Sequence, residues 1–328
     1  MPRAVICREL GPPEKLTLED VPREALAPKQ GQGQVRVAIH AAGLNFPDIL
    51  MAAGEYQLKP PLPFTPGMEA AGEVIEVAGS DGFHAGDKVI VKARFGCYAD
   101  EIVVTPDQLM PLPRAFDYAQ GAAFVAAHGT AWHALHDRAQ IKAGEVLLVH
   151  GAGGGVGLAA VELGKVFGAT VIACASSEEK LEVARQRGAD HGLLYGRELF
   201  KDAVKRITGG RGADVVFDPV GGPIFQESLR CMAWGARLLV IGFTGGVGVA
   251  KTNLVLIKGA SVLGVRAGEA VRKDPSLNAA RMADLTRLAD ERRISPNISH
   301  RLPLEDYAKA MRLLIERKAI GRVVLTMR

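Results

Sequence analysis

Five glycines, at positions 151, 153, 154, 155 and 157, fall within seven residues of one another in His150-Gly-Ala-Gly-Gly-Gly-Val-Gly157. So little side-chain bulk lets backbone N–H groups approach a pyrophosphate at the positive end of a following helix. The pattern is Ala152-x-Gly154-x-x-Gly157, a G-x-G-x-x-G turn with Ala in the first slot. Its flanks suit that use. Val146 to Val149 reads as a buried parallel strand, and Val156, Ala160, Leu163 and Phe167 follow at helical spacing. A second strand, Thr170 to Ala175, completes a βαβ unit. Gly154, Gly155, Val156 and Gly157 are therefore the expected dinucleotide contacts. The slot that carries an acidic residue when a ribose 2′-hydroxyl is bound holds Ser176, and Lys180 follows one turn into the next helix. A neutral hydroxyl and a lysine suit a 2′-phosphate, so NADPH is expected in preference to NADH. Glu178 and Glu179 are expected to face solvent in the first helical turn, where acidic residues favour the helix dipole.

Other chemistries find less support. Cys7, Cys97, Cys174 and Cys231 form no C-x-x-C pair, which argues against a disulfide framework and against a cysteine zinc site. His133 and His136 share a helix face but have no evident third ligand, and read as helix surface or packing. No Ser/His/Asp set or paired-carboxylate motif stands out. Of the 328 residues, 48% are hydrophobic and 23% charged, the composition of an ordinary globular chain. The net charge is only +4 and no run of five basic residues occurs, so neither nucleic acid nor a membrane surface is an expected partner. Without a signal peptide or about 18 consecutive apolar residues, a cytoplasmic location is expected.

The elements that must hold these residues come in two styles. Short strands punctuated by glycine and proline fill the first third: Ala4 to Cys7, Leu16 to Leu18, Gln34 to Ile39, Ala70 to Val77, Lys88 to Lys92 and Glu101 to Val104. They predict a small β domain of barrel type. From Tyr118 the chain changes to regular βα alternation. Helices are expected at Glu179 to Arg187, Glu198 to Thr208 and Ile224 to Trp234. Further strands are expected at His191 to Tyr195, Asp214 to Asp218, Arg237 to Ile241 and Ser261 to Val265. Six strands alternating with helices make a doubly wound parallel sheet. Helices at Ala279 to Arg292 and Leu304 to Arg317 and a strand at Gly321 to Thr326 then return to complete the first domain. The expected boundaries are 1–124 for the barrel-type domain, 125–267 for the nucleotide-binding domain and 268–328 for the return segment.

Ala42-Gly-Leu-Asn-Phe-Pro-Asp48, Pro66-Gly-Met-Glu-Ala-Ala-Gly-Glu-Val74, Gly86-Asp-Lys-Val89, the glycine run, Asp218-Pro-Val-Gly-Gly222 and Gly321-Arg-Val-Val-Leu325 together resemble the medium-chain dehydrogenase/reductase superfamily. The similarity is to its NADPH:quinone oxidoreductase, or zeta-crystallin, branch and spans essentially the whole chain. It implies an α/β fold with a GroES-like β-barrel-type catalytic domain and a Rossmann domain with a six-stranded parallel sheet. The zinc enzymes of the superfamily would place their ligands at Asn45, Met68 and Ala126, where an amide, a thioether and a methyl group cannot replace thiolate and imidazole. No metal is expected. Without a Lewis acid an electrophilic acceptor, such as a quinone or an activated C=C bond, is the feasible hydride acceptor.

Hydride transfer needs a water-poor cleft, expected between the two domains, and the resemblance places Asn45, Tyr56 and Thr130 near the nicotinamide. Asn45 is read as holding either a ribose hydroxyl or the acceptor's carbonyl oxygen; capping of local backbone is the plain alternative. Tyr56 is read as stacking on the acceptor or supplying a proton, with simple packing as the alternative. Asp48 reads as a turn or cap residue and Glu69 as structural. Gly242 and Phe243, at the carboxyl end of the fifth nucleotide-domain strand, are expected beside the nicotinamide. The resemblance adds Tyr195 and Arg322 to the cofactor set, and pairing into a homodimer. The expected function is zinc-independent hydride transfer from NADPH to a quinone or related conjugated carbonyl. An enone or enoyl-thioester reductase and an NADPH-binding protein without turnover are the alternatives.

Overall fold

In this computed structural model, residues 1–29, 33–79 and 82–327 are described. The chain opens with an antiparallel pair, β1 (Arg3–Ile6) and β2 (Thr17–Asp20). Then come β3 (Gln34–Gly43), α1 (Phe46–Ala52), β4 (Glu69–Ala78), β5 (Lys88–Lys92), β6 (Glu101–Val104), β7 (Leu109–Pro111), α2 (Tyr118–Ala122) and α3 (Val125–Trp132). The parallel strands are β8 (Val146–Val149), β9 (Thr170–Ala175), β10 (His191–Leu194), β11 (Ala213–Asp218), β12 (Met232–Val240) and β13 (Ser261–Gly264). Among them run α4 (Gly155–Val166), α5 (Glu178–Gln186), α6 (Phe200–Ile207), α7 (Gly222–Cys231) and α8 (Thr252–Ile257). The chain closes with α9 (Ala267–Lys273), α10 (Ser276–Asp290), β14 (Ile298–Pro303), α11 (Tyr307–Ile315) and β15 (Arg322–Thr326).

Met1–Ala126 and Pro296–Arg328 form one unit, and Ala127–Ser295 the other. In the first unit a seven-stranded sheet runs β14-β15-β3-β4-β5-β7, with β6 also on β3. Inward-facing Val35, Val37, Ile39, Val74, Val89 and Val91 build its core, as expected of half-buried alternating strands. In the second unit six parallel strands run in the order β10-β9-β8-β11-β12-β13, the doubly wound order with a switch point between β8 and β11. Val146–Val149 is buried throughout, as its continuous apolar run requires.

Several expectations are corrected. Helix α10, expected in the return segment, groups with the second unit, where buried Arg281 donates to Asp137 Oδ2 at 2.7 Å and Leu285 and Leu288 are enclosed. Trp234, expected at a helix end, lies in β12, because α7 ends at Cys231 and the chain turns extended at Met232. Strands β7 and β14 and helices α8 and α9 were not anticipated.

Candidate functional site

The carboxyl ends of the parallel strands carry most of the second unit's candidates. After β8 the chain turns at Gly151 and enters α4, whose N-cap is Gly154 and has no side-chain cap. The first N–H groups of a 12-residue helix are thus left to a ligand or water. The turn is tight because the helix end lies directly on it: a Cβ on Gly157 would stand 2.3 Å from Gly151 O and 2.8 Å from Ala152 Cα. Those are backbone atoms, so nothing larger than glycine fits. A bare, uncapped helix end fits a pyrophosphate.

Beside the turn, β9 ends at Ala175 and leads to Ser176 and α5, with Ser177 as N-cap. Lys180 Nζ donates to Ser176 Oγ at 3.3 Å, so the structure brings together the two residues expected at a 2′-phosphate. The Lys180 stem lies over the glycine turn; a Cβ on Gly153 would meet Lys180 Cβ at 2.6 Å. Glu178 and Glu179 are exposed, and the Glu178 carboxylate accepts from Arg185 and Arg197. Gly242 and exposed Phe243 follow β12, and the loop they open packs on the loop after β11, where Gly245 N donates to Val220 O at 2.7 Å. Thr130 lies half-buried in α3.

Tyr195, at the end of β10, is drawn inward. Its hydroxyl lies 2.9 Å from His150 Nδ1 and accepts from Gly151 N at 3.2 Å. His150 Nε2 lies 2.8 Å from Ser228 Oγ, which donates to Ile224 O. Since that hydroxyl proton is committed, His150 Nε2 carries the hydrogen, and Nδ1 accepts from Tyr195. Complete burial lowers the imidazole pKa to about 3 and keeps the ring neutral. Tyr195 thus braces the glycine turn. His150 stands in the glycine motif itself, but only the fold shows its partners.

The first unit gathers a second group. Asn45 caps α1, and its backbone N donates to Asp48 Oδ2 at 2.9 Å, the capping role expected of Asp48. Tyr98 OH donates to the same oxygen at 2.7 Å. Asp48 is fully enclosed, and burial raises its carboxyl to about 7 against the hydrogen bonds from Tyr98 and Asn45. The Asn45 side chain lies against Glu69 and Arg322, and Glu69 Oε2 accepts from Ala126 N at 2.8 Å. Arg322, expected with the cofactor, is buried here with one guanidinium nitrogen on Asn45 and another on Glu69. Tyr56 lies half-buried against the barrel core after α1. Tyr98 carried no signal in the sequence, being a lone tyrosine fifty residues from its partner.

The donor set does not fit zinc. Asn45 is already bound on both sides, a guanidinium stands against it, and Met68 and Ala126 offer a thioether and a methyl group. Among the described residues no three or more His, Cys, Asp or Glu side chains are grouped to hold a metal ion.

A doubly wound sheet with a glycine-walled first turn, in one chain with a GroES-like barrel unit, defines a two-domain dehydrogenase fold. Residues 31–114 match the model of the alcohol dehydrogenase GroES-like domain, and residues 155–284 that of the zinc-binding dehydrogenase. The chain is 38% identical to rat quinone oxidoreductase-like protein 2, over 99% of this chain and 92% of the relative. It superposes on a solved NAD-dependent alcohol dehydrogenase with a TM-score of 0.90 at 32% identity, covering 99% of this chain and 100% of that one. A mycobacterial protein complexed with NADPH gives a TM-score of 0.90 at 28% identity, covering 99% and 100%. The chain belongs to the medium-chain dehydrogenase/reductase superfamily, an oxidoreductase family, and within it to the quinone oxidoreductase branch.

Proposed function

We propose that this protein transfers a hydride from NADPH to a quinone or a related conjugated carbonyl without a catalytic metal. The observation that carries the reading is the Asn45–Glu69–Arg322 cluster: a neutral amide flanked by an ion pair, where the zinc members of the family need metal ligands. A site that cannot hold a Lewis acid does not activate an alcohol, but it can serve an acceptor that is already electrophilic. The dinucleotide, when bound, supplies the hydride. The uncapped start of α4 holds its pyrophosphate, and Ser176 with Lys180 takes the 2′-phosphate. Phe243 and Gly242 flank the nicotinamide, Thr130 orients it, and Tyr56 faces the acceptor, where its phenol stacks or gives up a proton. Two copies pair into a homodimer.

NADPH oxidation is to be measured across quinones, enones and enoyl thioesters, with and without a chelator, beside elemental analysis of the purified protein. Quinones are expected to give the highest kcat/KM, unchanged by chelator and with substoichiometric zinc. One tightly bound zinc per chain whose removal abolishes turnover overturns the metal-free reading. A preference for enoyl thioesters assigns a different acceptor, and binding of NADPH without turnover on any acceptor removes the catalytic reading.

A further inference from the structure

The N–H groups at the entry of the glycine turn are held in two different ways. His150 N donates to Phe217 O at 3.0 Å and Ala152 N to Cys174 O at 3.0 Å, both backbone contacts to neighbouring strands. Gly151, between them, has φ 57°, a left-handed conformation, and its N–H goes to a side chain, the Tyr195 hydroxyl at 3.2 Å. Gly151 O in turn accepts from Gly154 N, the N-cap of α4, at 2.9 Å. The residue that Tyr195 holds is therefore the one on which the start of α4 rests.

From that N–H the hydrogen bonds run one way. Ser228 Oγ donates to Ile224 O at 2.8 Å within α7, so it accepts from His150 Nε2 at 2.8 Å. A neutral imidazole carries one hydrogen, so Nδ1 only accepts, and it takes the Tyr195 hydroxyl hydrogen at 2.9 Å. The Tyr195 oxygen then has lone pairs alone to offer, and one receives Gly151 N–H. The other tautomer would set a bare Nε2 against Ser228 Oγ, lone pair to lone pair. His150 and Ser228 are 0% exposed, and the Phe200 ring stands edge-on to the imidazole at 4.8 Å. Groups so enclosed keep only the partners the protein gives them, and losing one leaves a bare polar atom.

We propose that His150 and Ser228 are positioning residues for the dinucleotide: by fixing the imidazole in its Nε2–H form they hold the Tyr195 hydroxyl on Gly151 N–H, and with it the start of α4 that takes the pyrophosphate. The inference rests on the dinucleotide reading above. All the residues of this chain of hydrogen bonds lie within the Ala127–Ser295 unit.

Two measurements test it. Nitrogen NMR of histidine-labelled protein at neutral pH, without cofactor, reads the tautomer from the assigned His150 resonances. A protonated Nε2 is expected, with an Nδ1 signal that moves in Tyr195→Phe as its hydrogen-bond donor is lost; an Nδ1–H form would overturn the proposal. The second is a cycle of His150→Leu, Tyr195→Phe and both together, with the NADPH Kd read by fluorescence titration and Tm measured beside it. Tyr195→Phe keeps the ring, whose backbone N still donates to Ala175 O at 3.0 Å. Each single variant is expected to raise the Kd about five- to tenfold, the loss of one hydrogen bond. Adding His150→Leu to Tyr195→Phe should cost almost nothing more, because the two act as one unit. An undiminished effect of His150→Leu in the Tyr195→Phe background would show that His150 does not act through Tyr195, and would overturn the proposal. So would a lowered Tm with an unchanged Kd, since the chain would then serve stability alone. If His150→Leu does not fold, Ser228→Ala, which removes only the acceptor of the Nε2 hydrogen, takes its place in the cycle. A wild type that binds no dinucleotide would instead defeat the functional reading, and the His150 spectrum would still decide the hydrogen-bond chain.

Discussion

At the scale of single residues, Asp48 is the group whose ionisation the fold resists most plainly. Burial raises its carboxyl from 3.8 to about 7, and Oδ1 has no hydrogen-bond partner. A proton on that oxygen removes the buried charge while Oδ2 keeps its bonds from Tyr98 and Asn45. The folded pKa lies above the unfolded one, so the native state holds the extra proton between about pH 4 and pH 7, and its stability falls as pH rises through that window. His150 has the opposite sign: its folded pKa is lowered from 6.5 to about 3, so its share of stability is lost as pH falls through the same range. The two oppose each other in the wild type, and a variant isolates one. Asp48→Asn mimics the protonated acid without titrating. Relative to wild type it should gain up to about 1.4 kcal/mol per pH unit between pH 5 and pH 7, or about 3 kcal/mol in all. Denaturant unfolding of both proteins at pH 5, 6, 7 and 8 reads the difference; a constant gap would mean that Asp48 is ionised throughout. What was legible at this scale followed from residue type at fixed spacing. Ser176 and Lys180 could be counted from the glycine turn, and Asp48 recognised as a cap three residues beyond Asn45. The Tyr98 and Arg322 contacts could not, since only strand register brings residues 50 and 277 positions apart together.

At the scale of elements, strong periodicity was readable and short edge pieces were not. Apolar runs alternating with helical spacing gave all six parallel strands, and in β8, β9 and β11 burial on both faces leaves no polar alternation. Strand β7 has three residues and α8 has six, too few for a pattern to emerge, and α8 leaves Leu256 80% exposed. The glycine turn and α5 act as one device, since the Lys180 stem lies where a Cβ on Gly153 would have to go. Its ammonium is thereby held beside Ser176 at the carboxyl end of β9. Lys180→Ala removes a charged hydrogen bond worth about 1.5–3 kcal/mol and is expected to raise the NADPH KM by about tenfold or more, with the NADH KM barely changed. Gly153→Ala should push in the same direction by displacing the lysine stem. Equal losses with both cofactors in Lys180→Ala would mean that this corner does not read the phosphate.

At the scale of the whole molecule, the parallel sheet has an open margin. Strand β13 is the last in the order β10-β9-β8-β11-β12-β13, with a hydrogen-bonded neighbour, β12, on one side only among the described residues. An edge strand with free N–H and C=O groups attracts another strand unless charge, proline or a covering element blocks it. Ser261-Val-Leu-Gly264 carries none of the blocking residues, and Ser261, Val262 and Gly264 are exposed. Around it lie Trp234 on β12, 79% exposed, and Leu256 and Ile257 on α8, an apolar group that a monomer would leave in water. Two copies related by a two-fold axis could pair β13 with β13, continue the sheet and cover these side chains in one step, since a closed dimer presents the same patch from both sides. The expected mass by light scattering at micromolar concentration is therefore twice the 34.8 kDa of the chain. Val262→Lys places a charge on each facing edge, where the two would meet, and should yield monomers. Because Val262 is already partly exposed, the variant should keep its secondary structure, and its Trp234 fluorescence should shift to longer wavelength as the ring meets water. A wild-type mass of one chain at that concentration, or a Val262→Lys variant that remains a dimer, would refute pairing through this edge.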